Sequence, residues 1–146
     1  MAEVTLREVT KDTVWQIMDL EVAENQGHLV APNSMSIAEA YFEPKAWFRA
    51  IYADEDPVGF IMLFDDPDTP RYYLWRMMIA NGQQRKGLGR RALELLVDYV
   101  RTRPNATEVT VGSIPGEESP QAFYEGFGFV DTGETKGGEV ILRLVL

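Results

Sequence analysis

The sequence predicts an α/β (α+β) domain: one mixed, mostly antiparallel sheet flanked by helices. Three observations predict it. Two pairs of apolar runs are joined by tight polar connections, Asp54-Glu55-Asp56-Pro57 and Gly137-Gly138, which read as antiparallel hairpins. A strand-like run, a long amphipathic stretch and a second strand-like run follow one another across residues 71–113, the order that produces a parallel pair. The length of 146 residues suits one domain over residues 1–146, large enough to bury roughly 70% of the surface its unfolded chain exposes.

Each element follows from local pattern. Val4 to Val9 alternates apolar and polar and reads as a strand. Thr10 is placed to cap a helix from about Lys11 to Leu20, with Val14, Trp15, Ile17, Met18 and Leu20 as its apolar side. Residues 21–35 lose periodicity and read as a loop. Ser36-Ile37-Ala38-Glu39 has the form of a capping box opening a short helix through Tyr41 or Phe42. Trp47–Ala53 and Val58–Phe64 are the first hairpin, and the acidic, proline-containing loop 65–70 separates it from a long strand, Arg71 to Ala80. Leu88, Ala92, Leu95, Leu96 and Tyr99 make a helical stripe within residues 87–103, ended by Pro104. Glu108–Ser113 is the next strand. Ser119-Pro120 starts a short helix that Gly126 or Gly128 closes, and Phe129–Lys136 with Glu139–Leu146 forms the last hairpin.

Composition narrows the chemistry. Without cysteine the chain has no disulfide, thiolate metal site or cysteine nucleophile. Lys+Arg 14 against Asp+Glu 23 gives a formal charge of -9, which repels nucleic acid and attracts cations. No apolar run reaches the ~20 residues of a membrane helix, and Met1-Ala2-Glu3-Val4 lacks a basic, apolar signal pattern. The expectation is a cytoplasmic protein that binds neither nucleic acid nor membrane.

One stretch demands a special chemical reason. Gln84-Arg85-Lys86-Gly87-Leu88-Gly89-Arg90-Arg91 joins an apolar strand to an amphipathic helix through two glycines and four cations. Glycine lets backbone N–H groups converge on one oxygen cluster, and the helix adds its positive end, so the stretch reads as an anion cradle; a solvated connector is the bland alternative. The dinucleotide-binding spacing also matches Gly87 to Ala92, but that turn belongs directly after the first strand of a βαβ unit. The phosphate loop of nucleotide hydrolases needs Gly-Lys and then a hydroxyl, which is absent here.

With its flanks, Gln84-Arg85-Lys86-Gly87-Leu88-Gly89 resembles the Q/R-x-x-G-x-G/A coenzyme A loop of the GNAT family of N-acetyltransferases, and Phe123 to Phe129 resembles that family's F/L-Y-x-x-x-G-F segment. The resemblance implies a central parallel strand pair that splays to admit acetyl-coenzyme A as cosubstrate. The backbone of Met77, Met78 and Ile79 would hold the pantetheine arm, the N–H groups of Arg85, Lys86, Gly87, Leu88, Gly89 and Arg90 would take the pyrophosphate, and Gln84 would belong to the same cofactor site. Glu117 stands where the family usually places an asparagine that contacts pantetheine, and Pro120 where alanine is usual. Tyr124 is implied as the acid that protonates the departing thiolate, holding its own proton at neutral pH because a phenol's ordinary pKa is about 10.

The base stays open: Glu21, Glu24, Glu43 and Asp65 are candidates, a water chain is another, and His28 reads as a surface residue. No metal is expected. The opening segments and closing hairpin resemble bacterial Blt-type spermine/spermidine acetyltransferases, which implies a small cationic amine as partner. Glu21, Glu24 and Glu43 would meet it with Trp75, amid an acidic set that includes Glu39, Asp65, Asp66 and Asp68. Trp75 and the methionines also read as core. A homodimer is compatible with this reading. An acetyl-coenzyme A binding module without catalysis is the alternative from a different class, as is transfer to an antibiotic, an amino acid, or a protein N-terminus or lysine.

Overall fold

A computed structural model describes residues 2–23, 31–116 and 119–146. Its elements run β1 (Val4–Arg7), α1 (Val14–Met18), α2 (Asn33–Phe42), β2 (Ala46–Ala53), β3 (Asp56–Asp66), β4 (Arg71–Ile79), α3 (Leu88–Arg101), β5 (Glu108–Ser113), α4 (Gln121–Phe127), β6 (Val130–Lys136) and β7 (Glu139–Val145). They form one seven-stranded sheet in the order β1-β2-β3-β4-β5-β7-β6. Every neighbouring pair is antiparallel except β4 and β5, the pair that the strand-helix-strand order predicts to be parallel. Among the described residues, no helix is long and apolar enough to cross a membrane.

The sheet is covered on both faces. On one, α3 buries Leu88, Ala92, Leu93, Leu96 and Val100 against Ile61, Leu63, Leu74, Val109, Val111 and Leu142, and α4 adds Tyr124. Leu93 and Leu96 are fully buried, each contributing about 1.5–3 kcal/mol. On the other face Ile17 of α1 packs with Ala50, Tyr52, Phe60, Met62 and Met78, and α2 brings Ile37 and Ala40 to their edge.

Local pairing decides where the sheet opens. Strands β4 and β5 are paired only at Tyr73↔Thr110 and Leu74↔Val111, so beyond Leu74 the β5-facing edge of β4 has no strand partner among the described residues. The cause lies partly in β4 itself. Its register against β3 runs Leu63↔Leu74 and then Met62↔Arg76, leaving Trp75 as an extra residue; such a bulge bends its strand and increases local twist.

The helix starts differ from the sequence expectation, and each has a physical reason. Helix α1 begins at Val14 because Lys11-Asp12-Thr13 form a turn: the Thr10 amide donates to the Thr13 hydroxyl (2.9 Å), and the Val14 amide to the Thr10 carbonyl (2.8 Å). Trp15, expected on the apolar side, is 72% exposed. Helix α2 starts at Asn33, three residues before the expected capping box, with Pro32 at its N-cap. Ser36 and Glu39 are not caps. They accept bonds from Arg76 Nη1 at 3.0 and 2.9 Å, tying α2 to the bulged part of β4.

Candidate active site

The segment after β4 builds a cradle from unusual backbone. Arg85 and Gly87 both take positive φ (64° and 78°), and Gly87 is the left-handed N-cap of α3. No side chain caps that helix, and its first backbone bond runs from the Arg91 amide to the Gly87 carbonyl, so the Leu88, Gly89 and Arg90 amides precede the intrahelical ladder. Converging N–H groups, the helix's positive end and the Arg85, Lys86 and Arg90 cations suit phosphate oxygens. Gln84 fixes the cradle to the strand, its Nε2 donating to the Ile79 carbonyl at 3.0 Å.

A cleft of about 500 Å³ runs from this cradle toward the gap between β4 and β5. Met77, Met78, Ile79, Gln84, Arg85, Gly87, Leu88, Gly89 and Arg90 all line it, so of the expected cofactor residues that the structure describes, all but Lys86 converge on one space. Its far wall is Ser119, Pro120, Phe123 and Tyr124. Helix α4 is anchored there by the Ser119 hydroxyl, which takes the Gln121 amide (3.1 Å) and bonds Ser113 Oγ at the end of β5 (2.9 Å). The sequence places a serine cap at this start, and in the structure Ser119 performs that bonding from one residue before the Pro120 N-cap.

A second cleft, of about 430 Å³, opens on the α2 face of the sheet between Pro32, Met35, Trp75 and Arg76 on one side and Gly112, Ser113, Ile114 and Glu139 on the other. The two clefts share Met77, Pro120 and Tyr124. Tyr124 therefore stands where β4 and β5 part. It is 6% exposed, and its ring lies edge-on to Phe123 and Phe129. Burial pushes the phenol's pKa far up, and neighbouring Tyr73 and Glu139 raise it further, so Tyr124 carries its proton through the whole neutral range.

Sequence reasoning missed three residues of the second cleft. Tyr73 reaches Gly112, where its phenol is pushed up by burial first and then by Glu139. Glu139 begins β7, whose alternation sends Val140, Leu142 and Leu144 to the α3 face and Glu139 to the other. Arg76 lines the cleft while paired with Glu39. The available signal was Gly112: an isolated glycine in a strand pattern marks a close approach, and here a Cβ would collide with the Glu139 carboxylate and stand 3.1 Å from the Tyr73 hydroxyl.

The expected substrate and base residues separate. Trp75 lines the second cleft, with its ring against Phe64. Glu43 does not; its carboxylate accepts the Lys45 amide (3.1 Å) beyond the end of α2. Glu21 lines neither cleft, and its carbonyl accepts the Asn81 amide. Asp65 and Asp66, expected near the acceptor, hold the distant end of β3. Asp65 is bound by the Tyr99 hydroxyl (2.5 Å) and Arg103 Nε (2.9 Å). Asp66 is held down to about 2 by the Thr69 hydroxyl, with Lys45 and the Asp68 amide assisting. Glu24, His28 and Glu117 lie outside the described residues.

Comparison with known proteins agrees with this architecture. Residues 11–129 match the Acetyltransferase (GNAT) family. The spermine/spermidine N(1)-acetyltransferase of Bacillus subtilis is 27% identical over 141 residues, covering 90% of each chain. Among solved structures, the spermidine N-acetyltransferase of Vibrio cholerae in complex with CoA and spermine superposes with a TM-score of 0.71 at 18% identity, covering 98% of this chain and 94% of that one. The PaiA N-acetyltransferase of Thermoplasma acidophilum, in complex with coenzyme A, gives 0.75 at 14% identity over 99% of both chains. With the family pattern spanning most of its length and a sheet parted at the parallel pair, this chain belongs to the GNAT family of acetyltransferases.

Proposed function

We propose that this chain is an acetyl-coenzyme A-dependent N-acetyltransferase acting on a polyamine such as spermidine or spermine, by direct attack of the amine on the thioester in a ternary complex. The observation that carries this reading is the meeting of two clefts from opposite faces of the sheet at Tyr124, Met77 and Pro120. Acetyl-coenzyme A suits the cradle side, with its pyrophosphate on the α3 amides and its arm along the unpaired edge of β4. The amine suits the α2 side. Support for a polyamine comes from the relatives named for spermine and spermidine, the net charge of -9, and a cleft that, among the described residues, sets the Glu139 carboxylate between the apolar walls Met35, Trp75 and Ile114. Methylene segments fit such walls, and ammonium groups fit the carboxylate.

A second reading has its own observation. Arg76 lines the same cleft and favours an amine that carries a carboxylate, as an amino acid or a peptide N-terminus does. One panel decides: thiol release from acetyl-coenzyme A with spermidine, spermine, a monoamine of similar length, an amino acid and a short peptide. The polyamine reading predicts kcat/KM for spermidine and spermine clearly above the monoamine, because their extra ammonium groups are drawn by the field of a chain with a net charge of -9. That advantage should shrink as ionic strength rises from about 0.01 to 0.15 M and the screening length falls from roughly 30 to 8 Å. Preference for the amino acid or peptide replaces the polyamine. Coenzyme A binding without thiol release for any amine leaves a binding module.

A further inference from the structure

Amine attack poses a proton problem that the fold addresses away from the expected acids. An alkylammonium with the ordinary lysine pKa of about 10.4 is neutral in only about one molecule in 2,500 at pH 7, and only the neutral form has a lone pair for attack. A carboxylate within reach of that nitrogen removes the obstacle. Glu21 and Glu43 stand outside both clefts, Glu39 is taken by Arg76, and Asp65 and Asp66 are bound at the distant end of β3.

Glu139 is placed differently. The antiparallel register of β7 on β5, with Ser113↔Val140 and Gly112↔Ile141, puts it beside the end of β5 where β4 has already turned away. Its carboxylate lies against Gly112 in space that any Cβ would occupy, with the Tyr73 hydroxyl on the same spot. Among the described residues no cation lies within 4 Å of it. Tyr73 of β4 and Tyr124 of α4 face it, Arg76 lines the same cleft, Lys136 stands opposite it in the β6 register, and Arg71 lies over the Tyr73 ring. Arg76 already has Glu39 and Ser36 as partners.

We propose that Glu139 anchors the acceptor's ammonium and accepts the proton it must lose before attack, with Gly112 as the positioning residue that leaves room for the carboxylate. This rests on the acetyltransferase reading above. One Glu139 oxygen takes a proton from the ammonium, and the freed lone pair forms the C–N bond to the thioester carbonyl carbon. The C–S bond breaks with its electron pair on sulfur, which takes the Tyr124 proton. The nitrogen's surplus proton restores the phenol, and Glu139 releases its own to water. The sum is ammonium plus thioester giving amide, thiol and one proton.

The test compares wild type with Glu139→Gln from pH 6 to 10, using spermidine or the fastest amine of the panel. Expected is a loss in kcat/KM of about 10²-fold or more at pH 7 that shrinks by about tenfold per pH unit toward pH 10, as free amine replaces the lost base. Coenzyme A affinity and melting temperature should stay near wild type. Gly112→Ala keeps the charge but displaces it, on an ordinary strand backbone, and should show a smaller loss with the same pH trend. A Glu139→Gln enzyme with wild-type kcat/KM, or with a deficit equal at every pH, overturns proton acceptance. Should Glu139→Gln not fold, an unchanged pH profile in Gly112→Ala overturns it instead. Wild type that releases thiol with no amine brings down the transferase reading, and the proposal with it.

Discussion

Tyr124→Phe is expected to lower turnover by roughly 10²-fold or more, the scale of a positioned acid, while leaving acetyl-coenzyme A affinity nearly unchanged. The substitution removes one oxygen and keeps the ring that packs edge-on between Phe123 and Phe129, with centroids 5.4 and 5.6 Å away. Packing loss is therefore small, and the melting temperature should move by no more than a few degrees. The effect falls on the departing sulfur. A thiolate leaving into a cleft walled in part by methionine, proline and phenylalanine has little solvation, and of the three residues both clefts share, Tyr124 has the side chain that can donate a proton. Because burial, Tyr73 and Glu139 all push its pKa up, Tyr124 is not expected to lose its proton, or its role, at any pH up to about 10. Wild-type turnover in the phenylalanine enzyme, measured by thiol release, would return Tyr124 to a packing role.

The second large effect is expected at Gly89. A Cβ there would make ordinary van der Waals contacts, 3.5 to 3.6 Å from side-chain atoms of Ile79, Met77 and Phe123, and its φ is not positive. Alanine therefore fits, and tests bulk alone. Aspartate adds a negative charge in the first turn of α3, where it stabilises the helix by up to about 1 kcal/mol yet stands against the phosphates. Two like charges about 4 Å apart repel by roughly 4 kcal/mol at an effective dielectric constant near 20, close to a thousandfold in affinity. Calorimetry should show Gly89→Asp losing coenzyme A binding by 10²-fold or more with an unchanged or raised melting temperature, and Gly89→Ala losing far less. Equal affinity in a folded aspartate variant would remove the phosphates from the cradle.

The parts of the fold that rest on local chemistry were legible in the sequence. Strand β5 matches its expected span at both ends, α3 forms where its apolar stripe predicts, though Leu93, Val97 and Val100 are buried more deeply than the expected Leu95 and Tyr99, and the strand-helix-strand order around them announced the parallel pair. The unusual backbone of residues 84–91 was legible because two glycines among four cations mark a special turn; its use as an anion site is the reading that Gly89→Asp tests. What escaped depends on contacts distant in sequence. Ser36 and Glu39 have the spacing of a cap, but Arg76, nearly forty positions away, competes for both side chains and wins. The acids of loop 65–70 looked like a cation-binding patch until Tyr99, Arg103 and Lys45 were brought to them by folding. Glu139 looked like the first polar residue after a hairpin turn. Its place beside the gap is set by the register of β7 on β5 and by the missing side chain of Gly112, and neither is a property of its own segment.

The central claim is that acetyl passes directly between substrates approaching from opposite faces of the sheet. Initial rates with acetyl-coenzyme A and the amine both varied test it most directly. Direct transfer needs both clefts filled at once, at Tyr124, Met77 and Pro120, so double-reciprocal plots are predicted to intersect, and no acetylated protein should appear when acetyl-coenzyme A is supplied alone. Parallel lines, with an acetyl group found on the protein by mass spectrometry, would contradict it.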